Sequence, residues 1–121
     1  MKITSNIKGQ LAVSKAELRA FELGHVPSRP LYDARYDLIF DNGKKLLKAQ
    51  VKYADGKSSH SQGVGVVKLD YEDRSKKIHT YHKGEVDVLI VYIPKIDKLC
   101  LFPLEIFEGK RKMNIRIEKP K

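Results

Sequence analysis

The sequence predicts an α/β domain in which a mixed central β-sheet is flanked by helices. Three observations indicate this class: a helical period of apolar residues over 5–23, a hairpin signal at Asn42-Gly43, and a continuous apolar run from Val86 to Ile93. A strand without alternation is typical of one that is covered on both faces. The 121 residues suit a single domain, residues 1–121, with a modest core.

The first element is an amphipathic helix over residues 5–23, which we expect to pack on the sheet. Gly24 is placed to adopt the left-handed conformation that ends many helices. Pro27 and Pro30 prevent the helix from continuing and impose extended or turn backbone on the chain leading to Asp37. A short first strand over residues 25–28 is expected there. The helical period is carried by Ile7, Leu11, Leu18 and Phe21, with Val13, Ala16, Ala20 and Leu23 beside them.

The second element is a β-hairpin, because Asn-Gly between apolar runs is the strongest short-range hairpin signal. A two-residue turn at 42 and 43 pairs Asp37 with Lys48 and Leu38 with Leu47. Side chains alternate between the two faces of a strand. One face then carries Tyr36, Leu38, Phe40, Leu47, Ala49, Val51 and Tyr53. The other face gathers an acid, an amide and two lysines: Asp37, Lys48, Gln50 and Lys52.

The later elements are strands separated by a basic insert. Residues 44–83 hold ten Lys or Arg against four acids, and this insert is the part of the fold that the sequence predicts least. After it, the strand from Val86 to Ile93 ends at Pro94, and a second strand is expected over 98–102. The alternating stretch 113–117 indicates an edge strand or an oligomer contact.

Composition favours a polyanionic partner. Lys and Arg number 24 against 15 Asp and Glu, a net charge of +9, and neutralising phosphates releases counterions from nucleic acid. A single cysteine, Cys100, excludes an internal disulfide and a cysteine-based zinc site. No signal peptide or apolar span of about 18 residues is recognisable, so we expect a cytoplasmic, nucleoid-associated protein that does not bind a membrane. No glycine-rich phosphate loop is present, so no nucleotide cofactor is expected.

The ordered motifs resemble the PD-(D/E)XK nuclease superfamily, in the intron-encoded homing endonuclease branch that has Asp…Gln-x-Lys. The segments that carry the resemblance span residues 5–107: Lys8–Val13, Leu23–Val26, Arg35–Ile39, Val86–Tyr92 and Leu99–Leu104. The resemblance implies a restriction-endonuclease-like core. It also implies Mg²⁺-dependent, site-specific hydrolysis of phosphodiester bonds in double-stranded DNA, of the intron-homing type.

Phosphodiester hydrolysis needs an activated water and neutralisation of charge, which a hard divalent cation with oxygen ligands supplies. The resemblance implies that Mg²⁺ is bound by Asp37, the carbonyl of Val51 and the amide oxygen of Gln50. It implies that Lys52 orients the attacking water or holds the phosphate. Asp37, Gln50, Lys52 and Gln10 are therefore the expected catalytic residues.

Gln10 departs from the family pattern, in which a glutamate usually follows the glycine of the Lys-Gly pair. Three explanations remain open. The enzyme tolerates one certain carboxylate, or Glu17 on the same helix face joins the site, or the chain is a variant in which cleavage is slowed while DNA binding is kept.

The expected partner is double-stranded DNA. Cutting two strands needs two active sites, so a homodimer or homotetramer is expected. Two alternatives stay open: a structure-specific nuclease such as a Holliday-junction resolvase or repair enzyme, and a DNA-binding module with a decayed active site. The expected DNA-binding residues are basic side chains of the hairpin and the insert: Lys57, Lys76, Lys77, Lys44, Lys45 and Arg74.

Overall fold

The computed structural model describes residues 2–54 and 64–116. Two helices and nine strands lie in these ranges. In chain order they are α1 (Ser5–Glu22), β1 (Val26–Ser28), β2 (Leu38–Asp41), β3 (Leu46–Tyr53), β4 (Val64–Lys68), β5 (Asp70–Glu72), β6 (Ile78–Thr80), β7 (Val88–Ile93), β8 (Lys98–Pro103), α2 (Leu104–Phe107) and β9 (Lys112–Arg116).

The central sheet has five strands in the order β1-β2-β3-β7-β8. Neighbouring strands are antiparallel except β3 and β7, which are parallel. The predicted mixed α/β class is therefore confirmed. Two small antiparallel sheets, β4-β9 and β5-β6, accompany it.

Helix α1 forms where its period predicted it and covers one face of the sheet. The Oγ1 atom of Thr4 caps the helix by accepting the N–H of Ile7 at 3.3 Å, and Gly24 follows its end with φ of 79°. The residues that face the sheet are small: Ala12, Val13, Ala16 and Ala20 are buried. The larger apolar side chains of the predicted period point elsewhere, since Ile7, Leu18 and Phe21 are exposed. Small side chains let the helix lie close to the strands.

Strand β7 divides the core into two halves, as its continuous apolar run predicted. Alternate residues face opposite sides. Val88, Ile90 and Tyr92 pack in the cluster that contains α1. The other three residues of the strand pack in a second cluster with residues of β4, β9 and α2: Leu89, Val91 and Ile93.

The predicted register of the hairpin is wrong by two residues. Leu38 lies opposite Ala49, whereas the two-residue turn placed it opposite Leu47. The reason is the side chain of Asn42, whose Oδ1 atom accepts the N–H groups of both Lys44 and Lys45 at 2.9 Å. These bonds favour a four-residue loop over 42–45 in place of the shorter turn.

A shift by an even number of residues leaves each side chain on its predicted face. The residues of the predicted apolar face therefore pack with α1: Leu38, Phe40, Leu47, Ala49, Val51 and Tyr53. Tyr36 is the exception, because it precedes β2 and packs against the second cluster. Its predicted face was wrong.

The other predicted strands are present. A turn over 94–97 joins β7 to β8, and β9 overlaps the predicted alternating stretch 113–117, where it pairs with β4. The basic insert contributes β4, β5 and β6, which the sequence did not predict. Within residues 2–54 and 64–116, no helix has the length and apolar composition needed to cross a membrane.

Candidate active site

The site is built around Asp37, which stands immediately before β2. Its main-chain N–H donates to the carbonyl of Ala49 at 2.8 Å, so the strand pairing fixes its backbone. Its side-chain Oδ2 accepts the N–H of Val51 at 2.9 Å. The carboxylate therefore lies against the edge of β3 that β2 leaves uncovered.

The carbonyl of Val51 points toward the same edge. In an extended strand the N–H and C=O of one residue project to the same side, and the N–H of Val51 is directed at Asp37. The neighbouring residue Gln50 sends its main chain toward β7 and its side chain to the sheet face opposite α1. Two oxygen-bearing groups of β3 thus flank the carboxylate.

Asp37 and Gln50 line one open cleft of about 160 Å³. The predicted convergence of an acid and an amide at one end of the hairpin is therefore present in the structure. The walls come from the segment before β2, from β3 and from the β5-β6 layer: Ala34, Arg35, Asp37, Gln50, Tyr71 and Tyr81.

Lys52 lies beside this cleft on the same face of β3 as Gln50. Its Nζ atom is 5.6 Å from the ring centroid of Tyr81, a cation–π distance that holds the ammonium over a buried ring. Burial lowers the pKa of Lys52, and the negative charge of Asp37 opposes that shift. Burial likewise raises the pKa of Asp37, opposed by the Val51 N–H and by the charges of Lys52 and Arg29. The two opposite charges therefore stabilise each other in a partly dry environment.

Gln10 lies on α1 and contacts Arg29, which follows β1. The Nη1 atom of Arg29 donates to the side-chain oxygen of Gln10 at 2.7 Å, and arginine can only donate. The same guanidinium forms a bidentate pair with Glu17, at 2.9 and 2.7 Å. Glu17 shares the helix face of Gln10, as predicted, but its carboxylate is bound by Arg29, which lowers its pKa.

The predicted DNA-binding residues lie in separate places. Lys44 and Lys45 are exposed in the β2-β3 loop, beyond the end of β2 that lies opposite Asp37. The four residues of β2 alone separate the two ends by about 13 Å. Arg74, Lys76 and Lys77 are exposed together in the loop between β5 and β6. Lys57 lies outside the described residues.

Four residues near the site were not among the site residues expected from the sequence: Arg29, Arg35, Tyr71 and Tyr81. Arg35 had a signal, because it stands two residues before Asp37 and a period of two places both on one side of an extended chain. The two tyrosines come from the insert, where tyrosines interleave with lysines, a pattern that fits backbone contacts to DNA and also half-buried strand positions. Tyr81 is buried, and burial raises the pKa of its phenol.

The sequence matches the family described as PD-(D/E)XK endonuclease over residues 3–121, so the chain belongs to this family of nucleases. Among solved structures, it is similar to a bacterial homing endonuclease, I-Ssp6803I. The two share 28% sequence identity with a TM-score of 0.82, over 98% of this chain and 81% of the other. A comparison with curated proteins gave no match.

Nucleases of this family generally use divalent metal ions, and the donor set of this site fits such an ion. A carboxylate, a main-chain carbonyl and an amide oxygen are the ligand types of hard cations. The set carries one negative charge. Among the described residues, no group of three or more His, Cys, Asp or Glu is arranged to hold a metal. A low ligand charge favours weak binding of the cation.

Proposed function

We propose that the chain is a Mg²⁺-dependent, site-specific endonuclease that cuts double-stranded DNA, of the intron-homing type, and that residues 1–121 act as one domain. The observation that carries this proposal is the carboxylate of Asp37, held by the N–H of Val51 in the same cleft as Gln50. Family membership supports the nuclease chemistry, and the similarity to a homing endonuclease supports the choice of substrate.

In this proposal Asp37, the Val51 carbonyl and the Gln50 amide oxygen hold Mg²⁺. The bound cation supplies charge neutralisation and an acidified water. Lys52 contributes a point charge on the same face, where it orients the attacking water or holds the scissile phosphate. The ring of Tyr81 beneath its ammonium restricts where that charge can lie.

The net charge of +9 supports a DNA partner, because counterion release supplies sequence-independent affinity. Each chain has one such cleft among its described residues, and two strands must be cut. A homodimer or homotetramer therefore belongs to the proposal. The bacterial nucleoid is the compartment in which such a protein would meet its substrate.

A binding and cleavage assay tests this function. Linear duplex and a four-way junction are each incubated with the protein, with and without Mg²⁺. Cleavage of linear duplex at a defined position, only with Mg²⁺, is the expected result. Cleavage confined to the junction would replace the proposal with a structure-specific nuclease.

A second candidate function is a DNA-binding module with a decayed site. The observation that favours it is that Asp37 is the one carboxylate among the residues that line the cleft, where Gln50 contributes an amide, and that Gln10 stands where the family pattern has a glutamate. Binding of duplex without cleavage, in Mg²⁺ and in the softer Mn²⁺ alike, would support this candidate.

A further inference from the structure

Arg35 forms a wall of the cleft beside Asp37 and Gln50. Its side chain is 50% exposed, so it is open to a ligand that enters from solvent. The guanidinium carbon lies 4.8 Å from the ring centroid of Tyr71, and Nε lies 3.6 Å from a carboxylate oxygen of Glu85. An aromatic face and a nearby acid thus hold the charged group in one orientation.

These contacts restrict the guanidinium without using its donors fully. A distance of 3.6 Å exceeds that of a direct hydrogen bond, which is about 2.7–3.2 Å for N–H to oxygen. Glu85 therefore orients Arg35 mainly by charge. Arginine has five donors in a planar fork, which is more than its contacts with Tyr71 and Glu85 can use.

Arg35 lines a cleft whose other polar groups suit a phosphodiester. A planar fork matches the oxygens of a phosphate in a bidentate manner, which an ammonium cannot do. Arg35 also supplies a second positive charge near the cleft, in addition to Lys52. Glu85 offsets part of this charge at 3.6 Å from Arg35, so the planar geometry of the guanidinium, which matches phosphate oxygens, is the main reason to expect an anionic ligand.

We propose that Arg35 is a phosphate-binding residue of this site and that its guanidinium holds the DNA phosphate that enters the cleft. The inference rests on the proposed function, since the phosphate is that of the substrate. In this arrangement Arg35 positions the phosphodiester from one wall while Asp37 and Gln50 act from the other.

The alternative role for Arg35 is structural: it ties the segment before β2 to Tyr71 of β5. Arg19 offers a matched control. Its side chain is 56% exposed, and its Nη1 atom lies 3.7 Å from Glu22, so charge, exposure and ion-pair distance all resemble those of Arg35. Arg19 lies near the end of α1 and outside the residues that line the cleft.

The experiment compares Arg35→Met, Arg35→Lys and Arg19→Met in two assays. One assay measures single-turnover cleavage of duplex in Mg²⁺, and the other measures duplex affinity against salt without divalent metal. We expect Arg35→Met to slow cleavage roughly 100-fold, the loss found when one fixed donor to a developing charge is removed. Its slope of log affinity on log salt should fall by about 0.9, one phosphate contact. Arg19→Met should keep the wild-type rate and slope.

Arg35→Lys keeps the positive charge but removes the planar guanidinium. We expect its salt slope to equal that of the wild type while its cleavage rate falls. Where Arg35→Met fails to fold in thermal denaturation, Arg35→Lys decides, and an unchanged cleavage rate would overturn the inference. Equal results for Arg35→Met and Arg19→Met, with an active wild type, would also overturn it. A wild type that binds without cutting rejects the nuclease function. In that case a lower salt slope in Arg35→Met than in Arg19→Met supports the phosphate contact, and equal slopes overturn it. A wild type that neither binds nor cuts rejects both.

Discussion

Asp37 has two tasks at the level of the single residue. Its carboxylate accepts the N–H of Val51, and in the proposed chemistry it also holds the metal ion. Removal of the whole side chain therefore affects both the strand edge and the chemistry. Asparagine keeps an oxygen that accepts a hydrogen bond and loses only the charge, so it separates the two tasks.

We expect Asp37→Ala and Asp37→Asn to abolish cleavage of duplex in Mg²⁺. Duplex affinity should stay unchanged or rise slightly, because a negative charge near the phosphate is lost. Gel-based cleavage and fluorescence anisotropy measure the two quantities. Asp33→Ala, an exposed acid four residues earlier, is the control and should behave as wild type. Cleavage by Asp37→Asn at the wild-type rate would remove Asp37 from the site.

Gln10 poses a question of orientation, because its oxygen already accepts a hydrogen bond from Arg29. A glutamate at this position would strengthen metal binding only when its carboxylate binds the metal ion and no longer pairs with Arg29. We expect Gln10→Glu with Arg29→Met to bind Mg²⁺ about tenfold more tightly than Gln10→Glu alone. A charge-assisted bond worth about 1.5 kcal/mol or more holds the new carboxylate in the single variant.

Isothermal titration with Mg²⁺ measures both variants, and Arg29→Met alone is the control. Equal affinities in the single and double variants would show that Arg29 does not compete for the new acid. Glu17→Gln would then be the next variant to titrate, since it shares the guanidinium.

At the level of the element, the hairpin is anchored by its apolar face. Leu38 is 0% exposed and adjoins Asp37, whereas Leu46 at the far end of the same hairpin is 66% exposed. We expect Leu38→Ala to lower the free energy of unfolding by about 2–5 kcal/mol, since it leaves a cavity between the sheet and α1. Leu46→Ala should change it by less than about 0.5 kcal/mol.

Urea denaturation of the two variants gives these free energies. A similar loss in both would mean that the hairpin is not stabilised by its contact with α1. Because Leu38 fixes the strand next to the proposed metal site, the Leu38→Ala molecules that remain folded should also cleave DNA more slowly than the wild type.

The loop between β5 and β6 carries three exposed cations within four residues, and β5 supplies part of the cleft wall. Neutralising Arg74, Lys76 and Lys77 together should weaken binding to all duplexes alike and lower the salt slope by up to about 0.9 per contact. Glutamine is the neutral replacement at positions 74 and 77. Asparagine is the replacement at position 76, because φ there is 64° and asparagine adopts this left-handed backbone readily.

Lys44→Gln with Lys45→Gln tests the other predicted group of DNA-binding lysines, in the β2-β3 loop at the far end of the hairpin. Anisotropy titrations at several salt concentrations measure the slopes of both variants. An unaltered slope in the β5-β6 variant, with a reduced slope in the β2-β3 variant, would transfer the DNA-binding surface to the β2-β3 loop.

At the level of the whole molecule, elements with a local period were predictable. Helix α1 and the hairpin repeat apolar residues at a fixed interval, and strand β7 is an unbroken apolar run, so the existence of each follows from a short stretch of sequence. The hairpin register did not follow, because Asn42 can serve either a two-residue turn or the longer loop that its side chain stabilises here. Short motifs leave such choices to side-chain hydrogen bonds.

Contacts between distant parts of the chain were the least predictable. The convergence of Asp37 and Gln50 could be inferred, because one hairpin contains both. The meeting of Arg35 with Tyr71 could not, because the insert that supplies the tyrosine has no clear period. The same holds for Gln10 and Arg29, whose contact depends on how α1 lies over the end of β1.

The parallel contact between β3 and β7 ties the site to a late part of the chain. Asp87 accepts the N–H of Lys48 at 2.9 Å and donates its own N–H to the Lys48 carbonyl at 2.8 Å, across a separation of 39 residues. During translation, Asp37 and Gln50 leave the ribosome before the strand that supports them exists. Pairing between such distant segments also forms slowly. Prematurely terminated chains that end before β7 would carry the side chains of the proposed site without the strand that supports them, so the proposed activity would arise only once β7 has been made.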